Sequence, residues 1–281
     1  MESVHCRRSA FAGIPRLKRM DNMDINWYPG HMAKAKRLLA DQLSRVDVVV
    51  ELCDARLPYS SRNPDLDKLL AGKKRVLLLN KADLADPAAT SAWLNYFRAQ
   101  GIDAAPYSAS TGKAKDALAV IDRAAREAVE RAAQKGIRKT VKAMVVGVPN
   151  VGKSTFTNKL HGGNIAKTGD RPGVTRANQW VRITPYLDLL DTPGLLWPNL
   201  SDQQDARALA FVGTINDNIM DQQMLAIRLM ENLMEEHTDA LTTRFKLKDN
   251  TLGNFFTHAL CRGYGFIIAV HYGKGKSFRC S

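Results

Sequence analysis

Cysteine is scarce. Cys6, Cys53, Cys261 and Cys280 are the 4 in a chain of 281 residues, and no two form a C-x-x-C pair. That argues against a zinc site and fits a reducing compartment. Long apolar runs are also missing. None reaches the roughly 18–20 residues needed to cross a bilayer. The longest, such as Val46–Cys53 with Asp47 and Glu51 inside it, have strand length. Residues 1–22 contain no apolar core of signal-peptide length. Low-complexity tracts and internal repeats are absent. Acidic side chains are outnumbered, 28 against 41 Lys and Arg, leaving a formal net charge of +13. That excess favours a polyanionic partner, nucleic acid before a negative membrane surface.

A hydrophobic content of 45% supports a packed core, and the length allows one sizeable domain plus a smaller one. The β-branched run Val46–Leu52 reads as a strand, and Arg75–Leu79, ending at Asn80, as a buried parallel strand. Helical character follows over Pro87–Gln100, then a strand over Ile102–Tyr107 and a long helix over Lys113–Lys135. Ala143–Val146 is a strand, followed by a helix from Ser154. Trp180–Ile183 and Leu187–Leu190 pair as a hairpin ending at Asp191. Strands alternating with helices predict a mainly parallel α/β sheet. From about Asp202 the strands stop. Asp205–Val212 and Asp221–His237 read as amphipathic helices, with a boundary near Pro198–Ser201. Asn250–Ser281 interleaves aromatics with Arg and Lys. Residues 1–22 carry Arg7, Arg8, Arg16, Lys18 and Arg19. They read as a disordered basic arm, a mitochondrial transit segment, or an upstream start ahead of Met23.

The chemistry sits in short motifs. Gly147-Val148-Pro149-Asn150-Val151-Gly152-Lys153-Ser154 has the form G-x-x-x-x-G-K-[ST] between a strand and a helix. Its glycines let backbone N–H groups, from Asn150, Val151 and Gly152 on to Thr155, converge on phosphate oxygens, and the helix dipole assists. Lys153 would reach the β- and γ-phosphates, and Ser154 would ligate Mg²⁺. Asp191-Thr192-Pro193-Gly194 is a D-x-x-G element at a strand end. There Asp191 would support Mg²⁺ and the Gly194 N–H would sense the γ-phosphate. Thr175, between the two, would close over Mg²⁺ only when that phosphate is present. Asn80-Lys81-Ala82-Asp83 is N-K-x-D. The Asp83 carboxylate would accept two guanine N–H groups that adenine lacks, Asn80 would contact the base or brace the loop, and the Lys81 stem would cover the ring. Ser108 and Ala109, in Ser-Ala-Ser after the next strand, fit a backbone contact to guanine O6. A P-loop kinase would not explain Asn80–Asp83.

The guanine reader precedes the phosphate loop, the reverse of ordinary GTPases. Together with Trp27-Tyr28-Pro29-Gly30-His31-Met32, Asp54-Ala55-Arg56-Leu57-Pro58, Ser61-Arg62-Asn63-Pro64, Ala166–Gly173 and Leu196-Trp197-Pro198, the chain resembles the YlqF/RbgA family of circularly permuted GTPases from about Asp24 to Leu247. The resemblance implies a circularly permuted P-loop GTPase domain over 24–200, its mainly parallel sheet flanked by helices, after a basic extension over 1–23. A smaller C-terminal helical domain over 201–281 would end in an atypical tail. It implies GTP hydrolysis in a late step of large ribosomal subunit assembly, stimulated by that subunit. GTP/GDP, Mg²⁺ and K⁺ would be the cofactors, and ribosomal RNA and proteins the partners. The free protein would be a monomer, with no membrane association, in the cytoplasm or alternatively the mitochondrial matrix. Leu195 stands where ordinary GTPases carry the glutamine that orients water, and it cannot hydrogen-bond. The resemblance points to His31 for that task, a residue that would otherwise read as a surface or structural histidine. It also points to Asn150 as a K⁺ ligand, otherwise a loop-shaping residue. An alternative function is a GTP-gated RNA-binding scaffold with negligible turnover. After Leu247 the tail departs from the family pattern.

Overall fold

The computed structural model describes residues 37, 39–163, 165, 179–192, 194 and 203–215, with positions 225, 228, 229, 231–233, 239 and 243. The expectations for residues 1–36, His31, Thr175, Leu195 and the tail lie outside them. Six strands form one sheet: β1 (Val48–Asp54), β2 (Lys74–Asn80), β3 (Asp103–Pro106), β4 (Val141–Gly147), β5 (Gln179–Thr184) and β6 (Leu187–Asp191). The order across the sheet is β3-β2-β1-β4-β6-β5, with all neighbours parallel except the β5–β6 hairpin. The helices whose bounds are described are α1 (Pro64–Leu69), α2 (Pro87–Ala99), α3 (Ala114–Ala133), α4 (Lys153–His161) and α5 (Gln203–Phe211).

Both faces of the sheet are buried, so the central strands are continuous apolar runs rather than alternating ones. Val48, Val50 and Leu52 face one side with Val76, Leu78, Ala143 and Val145, under Ala117, Ile121 and Ala125 of α3 and Phe156 of α4. Spacings of four residues put those α3 side chains on one stripe. The intervening residues, Val49, Met144, Val146, Leu77 and Leu79, face the opposite side, against Leu66 of α1 and Leu94 and Phe97 of α2. Helix α2 begins where Pro87 fits the first turn and the Asp86 carboxylate accepts the Ala89 N–H at 2.7 Å.

The core does not stop at residue 200. Ala206, Leu209 and Ala210 of α5, with Ile215 and Leu225, bury in the same cluster as the α3–α4 face of the sheet. Ser60 Oγ also hydrogen-bonds Asp205. The composition shift near Asp202 marks the end of the strands. It does not mark a break in packing.

One buried charge lies inside the second face. Glu51 on β1 is 1% exposed, with Arg75 at 3.5 Å and Arg62 at 3.8 Å, and neither carboxylate oxygen accepts a hydrogen bond. Burial raises the Glu51 carboxyl above its ordinary 4.5, opposed by Arg75 and Arg62 and reinforced by Asp67. A folded state that holds this proton more tightly than the unfolded chain loses stability as pH rises from 4.5 through the raised value. Glu51→Gln keeps the shape and removes the titration. In urea denaturation across that window the variant is expected to gain stability on the wild type as pH rises. A constant difference between the two would exclude Glu51 as the titrating group.

Candidate nucleotide site

Five loops meet at one edge of the sheet because the parallel strands all end there. Asp54 of β1 is in register with Asn80 of β2, Leu52 with Gly147 of β4, and Val145 with Asp191 of β6. Ligands bind in open α/β sheets outside the carboxyl ends of strands. The loops here carry the sequence motifs, so chain order does not decide their meeting; strand order does.

The phosphate loop leaves β4 at Gly147 and enters α4 at Lys153. Gly152 has φ +101°, and a Cβ there would stand 2.5 Å from Asn80 Nδ2, so the position demands glycine on both counts. Lys153 is buried, and its ammonium donates to the carbonyls of Val148 at 2.8 Å and Gly147 at 3.1 Å. Burial pushes this lysine down to about 8; Asp191 opposes the shift and Lys81 adds to it. The cation is thus folded back onto its own loop, within reach of a stronger anion.

Asp191 faces the loop from the end of β6. Ser154 Oγ donates to Asp191 Oδ2 at 2.8 Å, whereas Oδ1 is buried and accepts no hydrogen bond. Burial raises the Asp191 carboxyl above its ordinary value despite the Ser154 hydrogen bond and the Lys153 charge. A buried carboxylate with an orphaned oxygen beside a serine hydroxyl is a hard-oxygen donor set that fits Mg²⁺. Thr192 Oγ1 donates to Val145 O at 2.6 Å and anchors the D-x-x-G turn to β4. Gly194 lies against the phosphate loop so closely that a Cβ would come within 2.6 Å of Pro149 Cα and N.

The N-K-x-D loop is tied to the phosphate loop by side chains. Asn80, 1% exposed, donates Nδ2 to Val151 O at 2.7 Å and accepts the Ala109 N–H on Oδ1 at 2.8 Å. One amide therefore joins three loops. Lys81 takes a left-handed φ of 61° and donates Nζ to Asn150 O at 2.8 Å. Asp83 sits exposed on the following 3₁₀ turn, Ala82–Leu84. Ser108 Oγ accepts from Thr111 N at 3.2 Å and Thr111 Oγ1 at 2.8 Å, which shapes the Ser-Ala-Ser loop. Asn150 has φ 57°, and its Nδ2 donates to Gly213 O at 2.6 Å, just past α5. Thr155 is exposed on α4.

The structure thus brings together Asn80, Lys81, Ala109, Asn150, Val151, Gly152, Lys153, Ser154, Asp191 and Gly194. Asp54 and Arg56 carried no role in the sequence reading, although an acid closing a buried parallel strand points to this edge. Asp54 is 1% exposed and 3.2 Å from Lys81 Nζ.

A phosphate loop on a central strand, a D-x-x-G turn on one side and an N-K-x-D turn reached earlier in the chain on the other define a circularly permuted P-loop GTPase. Residues 142–250 match the 50S ribosome-binding GTPase family. Ribosome biogenesis GTPase A of Priestia megaterium is 45% identical over 81% of this chain and 80% of its own length. Its Thermotoga maritima counterpart is 33% identical over 74% and 72%. Crystalline GNP-bound YlqF from T. maritima superposes with a TM-score of 0.59 at 27% identity, over 86% of this chain and 94% of the other. The chain belongs to the ribosome biogenesis GTPase A family, also called YlqF. Mitochondrial ribosome-associated GTPase 1 of Mus musculus is 35% identical over 74% of this chain and 66% of its own length.

Proposed function

We propose that this protein hydrolyses GTP to GDP and phosphate in a late step of large ribosomal subunit assembly, and that the large subunit stimulates the reaction. The observation that carries the chemistry is the Ser154–Asp191 contact with its unbonded Oδ1, beside the buried Lys153. The relatives, which are ribosome biogenesis GTPases, support the assembly role.

Water attacks the γ-phosphate, and catalysis is mainly positioning and charge neutralisation. Lys153 and the loop amides from Asn150 to Thr155 take the phosphate charge. Ser154, Asp191 and Thr175 would hold Mg²⁺, and Asn150 would hold a K⁺ whose charge would serve in place of an arginine finger. Asp83, Asn80, Lys81, Ser108 and Ala109 bind guanine, and Gly194 senses the γ-phosphate. Leucine at 195 cannot orient water, so His31 takes that task as a neutral imidazole. The chain beyond α5 supplies the RNA-binding region, and basic side chains there and in residues 1–23 meet ribosomal RNA by phosphate attraction. The free protein is a monomer in the cytoplasm, with the mitochondrial matrix as the alternative site.

GTP turnover measured with and without large subunits tests the reading. His31→Ala is expected to lower the stimulated rate by about 100-fold while leaving GTP affinity nearly intact; a large loss of affinity would assign His31 a structural role. Leu195 favours a second reading, a GTP-gated RNA-binding scaffold with negligible turnover. Nucleotide-dependent subunit binding without any stimulated hydrolysis would select it.

A further inference from the structure

We propose that Asp54 is a positioning residue for guanine recognition, acting through Lys81, and that Arg56 completes the unit at the rim of the site.

Asp54 ends β1, the strand between the one that carries the guanine reader and the one that carries the phosphate loop. Its carboxylate is almost fully enclosed and its contacts are specific. Oδ1 accepts Arg56 Nε at 2.8 Å and the Arg56 backbone N–H at 3.1 Å. Oδ2 accepts Arg56 Nη2 at 2.6 Å and lies 3.2 Å from Lys81 Nζ. The backbone around it is locked as well: Asp54 N donates to Ser61 Oγ at 2.9 Å and Ala55 N to Asn80 O at 2.8 Å.

This is more apparatus than a strand end requires. A buried carboxylate is costly unless paired. Burial pushes Asp54 up, but the Arg56 hydrogen bonds and the Lys81 and Arg56 charges win and hold it below its ordinary value. What it holds in return is Lys81. That side chain spans Asp54 and the Asn150 carbonyl, so one ammonium clamps the guanine-reading turn onto the phosphate loop. Lys81 does so from a left-handed backbone that a β-carbon disfavours, a conformation that persists only when the surroundings over-determine it. Asp83, two residues on, inherits its placement from that turn. Arg56, 21% exposed, is held by Asp54 through its guanidinium, so the pair presents a fixed cation at the end of β1, on the strand next to the one that leads into Asp83.

The inference rests on the nucleotide-binding reading above but not on ribosome assembly. The measurement is therefore made on the free protein, titrating fluorescent GDP, IDP and ADP analogues into wild type, Asp54→Asn and Arg56→Gln, with thermal melts of each. Asp54→Asn keeps the shape and removes the charge that orients Lys81. GDP affinity is expected to fall about tenfold or more. The GDP-over-IDP and GDP-over-ADP ratios should contract with it, because placement of Asp83 is what degrades. Arg56→Gln, at a partly exposed site, is expected to fold normally and to show a smaller contraction in the same direction. Unchanged selectivity in both variants, or equal losses for all three nucleotides, would overturn the assignment. If Asp54→Asn fails to fold, Arg56→Gln alone decides. A wild type that binds none of the three would instead sink the nucleotide-binding reading itself.

Discussion

Lys153→Met is expected to abolish productive nucleotide binding while leaving the free protein at least as stable as wild type near neutral pH. The ammonium is buried, and its hydrogen bonds go to two carbonyls of its own loop. A displacement from 10.5 to about 8 corresponds to about 3 kcal/mol of disfavoured charge. The sign follows from proton binding. Between about 8 and 10.5 the unfolded chain binds the proton and the folded one releases it, so stability rises with pH there and the whole cost stands below about 8. Methionine fills the same volume without charge. Part of the gain is returned, because Asp191 loses a cation that opposes its burial. A net increase of about 1–2 kcal/mol is expected, read by urea denaturation at pH 7. Nucleotide affinity, read by calorimetry, should fall on the order of 100-fold or more, since a desolvated cation facing phosphate makes strong charge-assisted hydrogen bonds. Retained affinity would remove Lys153 from the phosphate site. Lost stability would mean that the lysine is a structural element of the loop.

Asp83→Asn is expected to reverse base selectivity. A carboxylate accepts two N–H groups from guanine, and asparagine replaces one acceptor with a donor. Guanine then meets donor against donor, whereas xanthine offers a carbonyl at that position. A buried polar group left unpaired is the larger part of such penalties. Guanosine nucleotide affinity should fall about 100-fold or more and xanthosine nucleotide affinity rise comparably. The turn that carries Asp83 is fixed by backbone and side-chain bonds that the substitution leaves alone: Ala82 N to Tyr107 O at 3.0 Å, and Ala109 N to Asn80 Oδ1 at 2.8 Å. A loss of GTP affinity without a gain for xanthosine triphosphate would point to collapse of the turn rather than to lost base reading.

Much of this site was legible in the chain. Glycine at 152 and a strand-to-helix switch around it admit few readings, and the order of the N-K-x-D and phosphate-loop motifs specified a permuted fold. Element ends drifted by one or two residues, as at β1, expected over Val46–Leu52 and found over Val48–Asp54. Helix α1 escaped notice because Pro64–Leu69 is too short to show a helical period. The α5 helix was recognised, but its place was not. A stretch without strands looks like another domain, whereas Ala206, Leu209 and Ala210 are spaced to lie on the same core as β1 and β4. Glu51 and Asp54 were also unreadable as a pair. Both are acids in one apolar strand, yet one faces two arginines under the sheet and the other faces Lys81 at its edge.

The sequence by itself determined the class of fold, the phosphate-loop and N-K-x-D motifs and their permuted order, because each depends on local backbone chemistry at fixed spacing. Only the tertiary structure decided which groups share a charge. That Asp191 receives Ser154 and that Lys81 bridges Asp54 and Asn150 follow from the sheet order β3-β2-β1-β4-β6-β5, and that α5 packs on the same core follows from its apolar stripe meeting that sheet's face. Electrostatic and packing energies depend on distance in space, and parallel strands bring together residues that lie far apart along the chain.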